Sequence, residues 1–152
     1  MTKTSRIVDA DPGEVFAQLS DGWIYGAWVV GASHIRHVDD DWPAVGSRLH
    51  HRVGPWPVAI TDTTEVVEME PNARLVLRAK AWPAGEARVE LDIAPDRAGS
   101  VVTMGEAPTK GIFALLDNPL TRLILRKRNE ESLARLADLS SRRPDPNASR
   151  SP

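Results

Sequence analysis

The sequence predicts one α+β domain in which a curved, seven-stranded antiparallel sheet packs against a long C-terminal helix. Three observations carry this prediction. The only long helical pattern lies between residues 109 and 139. Strand patterns separated by turn residues fill the middle of the chain, as in an antiparallel meander. A length of 152 residues with 41% hydrophobic and 26% charged residues is typical of a single globular domain.

The first elements are a short strand and two short helices. Residues 3–8 alternate weakly in hydropathy and suit an edge strand. Asp11 and Pro12 have the residue types preferred at a helix N-cap and first helical position, and Glu14 adds negative charge to the first turn. Residues 23–28 are rich in aromatic side chains and are interpreted as a second short helix.

Six further strands are predicted between clusters of Gly, Pro, Asp and Asn. They cover residues 33–38, 46–53, 58–69, 74–82, 86–94 and 100–106. Trp42 lies in the turn after the first of these and is interpreted as a structural plug. A curved sheet cannot contact a straight helix everywhere, so the fold predicts an elongated cavity between sheet and helix.

The long helix has two apolar faces. Asn118 and Pro119 are interpreted as its N-cap and first residue. One face is predicted to line the cavity and contains Leu116, Leu120, Leu123 and Ile124. The opposite face is predicted to pack against the rest of the fold, with Asn129 as a buried amide bonded to backbone, and contains Leu125, Asn129, Ser132, Leu133 and Leu136. The domain is predicted to span residues 1–139, and the polar, proline-rich residues 140–152 to form a disordered tail.

Composition excludes several classes of function. A formal net charge of -2 argues against a basic nucleic-acid-binding surface. The absence of cysteine excludes disulfides and thiol catalysis and fits a reducing compartment. The sequence contains no apolar run of membrane-spanning length and no apolar signal segment at its start, so a cytoplasmic protein without integral membrane association is expected.

Three segments resemble a known superfamily. They are VVGASHIRHVDDDWPAVGSRLHHRVG (29–54), TTEVVEMEPNARLVLRAKAWPAGEARVEL (63–91) and NPLTRLILRKRNEESLARLA (118–137). Together they resemble the START-like polyketide cyclase/dehydrase (SRPBCC) superfamily, in its bacterial branch, which implies the helix-grip fold. The resemblance implies a cavity that binds a small hydrophobic or amphipathic ligand such as a lipid, a polyketide or an isoprenoid-like compound. It also leaves open a polyketide cyclase or dehydratase, and a protein-interaction module. We expect no cofactor, and a monomer or weak homodimer.

His51 is the sharpest candidate for chemistry. Neighbouring residues of a strand point to opposite faces, which places His51 with Leu49 and Val53 inside and His50 outside. An inward imidazole could carry a proton or anchor a ligand carbonyl; alternatively, it is a hydrogen-bonded structural histidine. His34 and His37 lie three apart and cannot share a strand face, and no metal site is expected.

The remaining candidates for the cavity are apolar. Tryptophans near strand ends could stack on a flat ligand, although ordinary core and loop packing is the simpler explanation for any single tryptophan. Adaptable apolar side chains where sheet and helix meet could form a wall of the cavity or a plain core. The predicted ligand-binding residues are Trp28, His51, Trp56, Trp82, Met104, Phe113, Leu116 and Leu120.

Overall fold

The computed structural model describes residues 1–53, 60–81, 85–111, 114 and 118–141. Within these ranges, seven strands and three α-helices of more than one residue follow one another in the predicted order, with one 3₁₀ turn (Gly22–Ile24) before the second helix. The elements are β1 Thr2–Val8, α1 Pro12–Leu19, α2 Tyr25–Trp28, β2 Ala32–Val38, β3 Arg48–Val53, β4 Ile60–Glu70, β5 Arg74–Ala81, β6 Gly85–Asp96, β7 Gly99–Lys110 and α3 Pro119–Ser141.

All seven strands form one curved antiparallel sheet, in the order β1-β7-β6-β5-β4-β3-β2. Successive strands from β2 to β7 are neighbours, as expected of a meander, and β1 pairs with β7 at the edge. The predicted sheet and its long C-terminal helix are confirmed. Strands β6 and β7 are longer than predicted. At the turn that joins them their pairing extends to Asp96 and Gly99, and at the other end β7 stays paired with β6 beyond Glu106, as far as Lys110.

Side-chain hydrogen bonds stabilise the N-terminal part of the fold at helix α1 and at Trp42. The Asp11 carboxylate accepts a hydrogen bond from the Glu14 amide at 2.8 Å, and the Glu14 carboxylate accepts one from the Asp11 amide at 2.9 Å. This reciprocal capping box starts α1 where the sequence predicted it. Trp42 is buried and its Nε1–H donates to the Leu19 carbonyl at 3.1 Å, which confirms its structural role.

Helix α3 begins as predicted, because the Asn118 side-chain oxygen accepts a hydrogen bond from the Thr121 amide at 2.9 Å. It continues to Ser141, two residues beyond the predicted domain boundary, and Ser140 is buried. No helix in the described parts of the chain combines the length and the apolar character needed to cross a membrane.

Candidate ligand cavity between sheet and helix

A cavity of about 300 Å³ lies between the inner face of the sheet and helix α3. Its walls come from α2 and the residues after it up to Ala32 at the start of β2, from strands β3, β5, β6 and β7, and from α3. Along α3 the lining residues repeat at three- and four-residue intervals, so one helix face covers the cavity. These helix residues are Thr121, Ile124, Leu125, Arg128 and Ser132.

Apolar side chains form most of the wall on the sheet side and at α2. Trp28 and Met104 are buried and line the cavity, together with Val89 from β6. Trp28 is held by an edge-to-face contact with Tyr25, with ring centroids 5.3 Å apart. Of the three residues expected to form an apolar wall, Met104 lines the cavity, while Phe113 and Leu116 lie outside the described residues.

His51 faces inward, as the alternation of strand β3 predicts, and is only 3% exposed. Its Nε2 lies 2.8 Å from the Thr64 hydroxyl, and its ring stacks on Tyr25 at a centroid distance of 5.9 Å. Its Nδ1 is buried without a hydrogen-bond partner among the described residues. Burial lowers the pKa of His51, with the nearby charge of Asp62 acting in the opposite direction. The imidazole is therefore held neutral around pH 7.

Tyr25 provides the polar group of α2 at the cavity. Its ring is buried and its pKa is raised, because burial disfavours the charged phenolate. Interaction with Thr64 and the positive charge of Arg128 lower the pKa, while Glu106 raises it. The phenol therefore remains protonated at neutral pH and can donate a hydrogen bond.

Glu106 and Arg128 form an ion pair across the cavity wall, joining β7 to α3. Glu106 is 4% exposed, whereas the Arg128 side chain is 37% exposed. Glu106 Oε2 has no hydrogen-bond partner among the described residues, so only one of its oxygens is paired. Arg128 is therefore the charged partner of this buried carboxylate.

Three of the predicted ligand-binding residues meet at this cavity, namely Trp28, His51 and Met104. Leu120 does not, because its side chain is 66% exposed and lies on the solvent side of α3. Each residue advances about 100° around the axis of a helix. On that scale, the face of α3 that lines the cavity lies roughly a third of a turn from the face that was predicted to line it. The other four candidates lie outside the described residues: Trp56, Trp82, Phe113 and Leu116.

Sequence reasoning missed the polar lining residues Tyr25, Glu106 and Arg128. Glu106 had a visible signal, since it follows Val102 and Met104 on the inward side of β7 at two-residue spacing. Arg128 lies in a charged helical segment, residues 126–131, whose Glu–Arg spacing is typical of a solvated face. That pairing holds for Arg126 and Glu130 at 3.0 Å, but Arg128 turns inward to Glu106.

Asn129 is buried as predicted, but its predicted hydrogen bond to backbone is wrong for the described residues. Neither its Nδ2 nor its Oδ1 has a partner among them. Ser132, one turn further along α3, bonds to backbone instead: its hydroxyl oxygen accepts a hydrogen bond from the Val30 amide at 3.1 Å.

Within the described residues, no three His, Asp or Glu side chains cluster as metal ligands would.

Comparison with known proteins places this cavity in a family context. The sequence profile of a family described as "Polyketide cyclase / dehydrase and lipid transport" matches residues 2–140. No curated protein gives a significant match to the sequence.

Solved structures share the fold at low sequence identity. Protein CV1439 from Chromobacterium violaceum superposes with a TM-score of 0.67 at 18% identity, covering 94% of this chain and 97% of that one. Protein MLL2253 from Mesorhizobium loti gives 0.68 at 17% identity, covering 90% and 93%. BexL, a di-domain ARO/CYC protein from the BE-7585A biosynthetic pathway, gives 0.69 at 13% identity, covering 93% of this chain and 50% of its own. At these identities the likeness establishes the fold.

Proposed function

Because the chain belongs to the polyketide cyclase/dehydrase and lipid transport family, we propose that it binds a small hydrophobic or amphipathic ligand between the sheet and helix α3. The single observation that carries this proposal is the mostly apolar cavity beneath α3, which receives side chains from both layers of the fold. A concave, largely apolar site with a few convergent polar groups is the common form of a small-molecule site.

The polar groups of the cavity indicate where a ligand's polar end would lie. The Tyr25 phenol is a donor at neutral pH, and the Arg128 guanidinium adds further donors beside it. Both suit a carbonyl or hydroxyl oxygen. The sheet wall at Val89 and Met104 suits the apolar remainder of the ligand.

The size of the cavity restricts the ligand class. About 300 Å³ lies at the small end of the range for ligand pockets, which runs from roughly 300 to 1,000 Å³. A compact aromatic, a polyketide fragment or a short isoprenoid-like molecule fits this volume better than a lipid with two acyl chains.

The proposal is tested by titration with N-phenyl-1-naphthylamine, a neutral apolar fluorophore whose emission rises in a dry site. We expect saturable binding of one molecule per chain and its displacement by the natural ligand class. Ala87→Phe places a large ring in the cavity and should abolish binding, since Ala87 lines the cavity on β6.

A matched control is available on the same strand. Ala94 lies on β6 but is exposed and outside the cavity lining, so Ala94→Phe should leave fluorophore binding unchanged. If Ala87→Phe binds the fluorophore as well as the unmodified chain does, the cavity is not the binding site and the proposal fails.

The second candidate function is catalysis, as a polyketide cyclase or dehydratase with His51 as proton carrier. The observation in its favour is a neutral imidazole in the cavity wall, which could accept a proton from a ligand. The engagement of Nε2 with Thr64 and the burial of Nδ1 favour a positioning role for His51 instead. An assay of a candidate cyclisation with His51→Gln separates these roles, because an unchanged rate removes His51 from the chemistry.

A further inference from the structure

The ion pair between Glu106 and Arg128 leaves hydrogen-bond acceptor capacity unused at the cavity wall. A carboxylate can accept about four hydrogen bonds, and among the described residues the Glu106 carboxylate accepts one, from the Arg128 guanidinium. Its Oε2 has no partner there, and the residue is buried. Leaving a buried acceptor without a donor raises the free energy of the folded chain, and more so when the acceptor belongs to a charged group. A ligand that brings a donor to this carboxylate would remove that penalty.

The neighbours of the carboxylate connect it to the cavity. Glu106 borders both the cavity and a second groove between α3 and the start of β1. Among the described lining residues, Arg128 and Tyr25 belong to the cavity and not to that groove. Burial is the main cause of the raised pKa of Tyr25, but the charges of Arg128 and Glu106 also act on it, so both lie near the phenol. Two donor groups and one acceptor group therefore converge on the same part of the cavity.

The charges at the cavity balance, which restricts the class of ligand. The described lining contains two cationic residues, Lys80 and Arg128, and two acidic ones, Glu86 and Glu106. Arg128 already has a buried anionic partner in Glu106. A carboxylate ligand would place a second anion beside that partner, so its loss of hydration would not be offset. A neutral hydroxyl avoids this and is the smallest group that both accepts and donates a hydrogen bond.

We propose that the cavity selects neutral ligands that carry a hydroxyl group, such as an alcohol, a phenol or an enol, over carboxylic acids of similar size. The hydroxyl oxygen accepts a hydrogen bond from Tyr25 or Arg128, and the hydroxyl hydrogen is donated to the Glu106 carboxylate. Glu106 is then the residue that determines this specificity. The inference rests on the proposed function and narrows its ligand class, since simple fatty acids are excluded.

Three ligands with the same ring system test the proposal near neutral pH. Of these, 2-naphthol donates and accepts a hydrogen bond, 2-methoxynaphthalene only accepts one, and 2-naphthoate is an anion. Each is measured by its displacement of N-phenyl-1-naphthylamine, excited at a wavelength that the three competitors do not absorb. We expect 2-naphthol to bind on the order of tenfold more tightly than either of the other two.

Glu106→Gln removes the charge and changes the hydrogen-bonding role at nearly constant size. When the amide oxygen accepts the bond from Arg128, the amide nitrogen stands in place of Oε2 and is a donor. We expect the preference for 2-naphthol over 2-methoxynaphthalene to fall to about twofold or less. We also expect 2-naphthoate to bind on the order of tenfold more tightly than it does to the unmodified chain, because Arg128 then has no other anion beside it. A damaged fold would not produce a gain in affinity.

The matched control is Glu90→Gln. Glu90 is likewise a glutamate of the sheet paired with arginine, at 2.8 Å from Arg88, but it lies outside the described cavity lining. This variant should discriminate among the three ligands as the unmodified chain does.

Two results would overturn the proposal while leaving the proposed function intact, because the fluorophore would still bind. One is equal affinity of the unmodified chain for 2-naphthol and 2-methoxynaphthalene. The other is a preference for 2-naphthol that Glu106→Gln retains, which would show that another group accepts the hydroxyl hydrogen. A chain that binds no fluorophore would overturn the proposed function and this specificity together.

Discussion

The two halves of helix α3 place opposite kinds of side chain against the protein. In the half from Pro119 to Arg128, the large apolar residues Leu120, Leu123 and Ile124 are exposed. In the half from Asn129 to Ser141, leucines are buried beside polar residues. The fully or nearly fully buried residues there are Asn129, Ser132, Leu133, Leu136, Ala137 and Ser140.

This difference shows that residue type alone does not decide which helix face is buried. The second half is an anchor with hydrogen-bonded hydroxyl groups: Ser132 accepts from the Val30 amide, and Ser140 donates to the Leu136 carbonyl at 2.7 Å. The first half covers a cavity on one side and faces solvent on the other. We infer that the anchor carries the folding stability of α3 while the first half carries its binding properties.

The largest expected effect comes from truncating the anchor. Leu133→Ala removes a fully buried side chain and should lower the free energy of unfolding by about 2–5 kcal/mol, through lost burial and the cavity left behind. Leu123→Ala on the exposed half should change it by less than about 0.5 kcal/mol. Urea denaturation of both variants measures the difference, and equal losses would show that the two halves do not differ in packing.

The next effect concerns the ion pair at the boundary of the two halves. Arg128→Met leaves the Glu106 carboxylate buried without its charged partner. We expect the free energy of unfolding to fall by roughly 1–3 kcal/mol, which is less than for a fully buried pair because Arg128 is partly exposed.

A double-mutant cycle identifies the cause of that loss. Adding Glu106→Gln to Arg128→Met removes the stranded charge and should restore part of the stability. A double variant no more stable than Arg128→Met would mean that Arg128 acts through packing of its aliphatic stem and not through the charge of Glu106.

A smaller effect, of opposite sign, is expected at Asn129. Its amide is buried, and neither of its polar atoms has a partner among the described residues. Asn129→Leu should therefore raise the free energy of unfolding by about 1 kcal/mol, since it removes an unsatisfied polar group from the anchor at similar volume. The shift of the urea midpoint measures this, and a destabilised variant would show that the amide is satisfied in solution.

The fold was predictable because its signals are local. Turn residues delimit the strands, Asp11 and Asn118 have cap residue types, and alternation in β3 places His51 inside. Each of these depends on a few neighbouring residues whose preferences agree with the final structure.

The site was only partly predictable because its polar residues contradict the burial rules used to find it. The prediction assigned cavity contact to Leu120, which is exposed, and did not include Arg128, which lines the cavity. Nothing local to the helix shows that Arg128 meets Glu106, because the partner lies 22 residues away on another element. A binding cavity needs polar groups on its walls, so patterns that identify cores do not identify it.

The smallest expected effect is a pH dependence of stability caused by His51, which lies in the sheet wall of the cavity beneath the first half of α3. Burial lowers the pKa of His51 in the folded chain, while the unfolded chain has the ordinary value of about 6.5. Below that pH the unfolded state binds a proton that the folded state resists, so stability is fully present above about pH 6.5 and falls as the pH drops toward the folded pKa. We therefore expect the free energy of unfolding to decline more between about pH 7.5 and pH 5.5 in the unmodified chain than in His51→Gln. Every other ionisable group is common to both proteins, so the difference between the two slopes isolates His51. Parallel slopes would mean that His51 is as well solvated as in the unfolded chain, and that the first half of α3 covers a wall open to water.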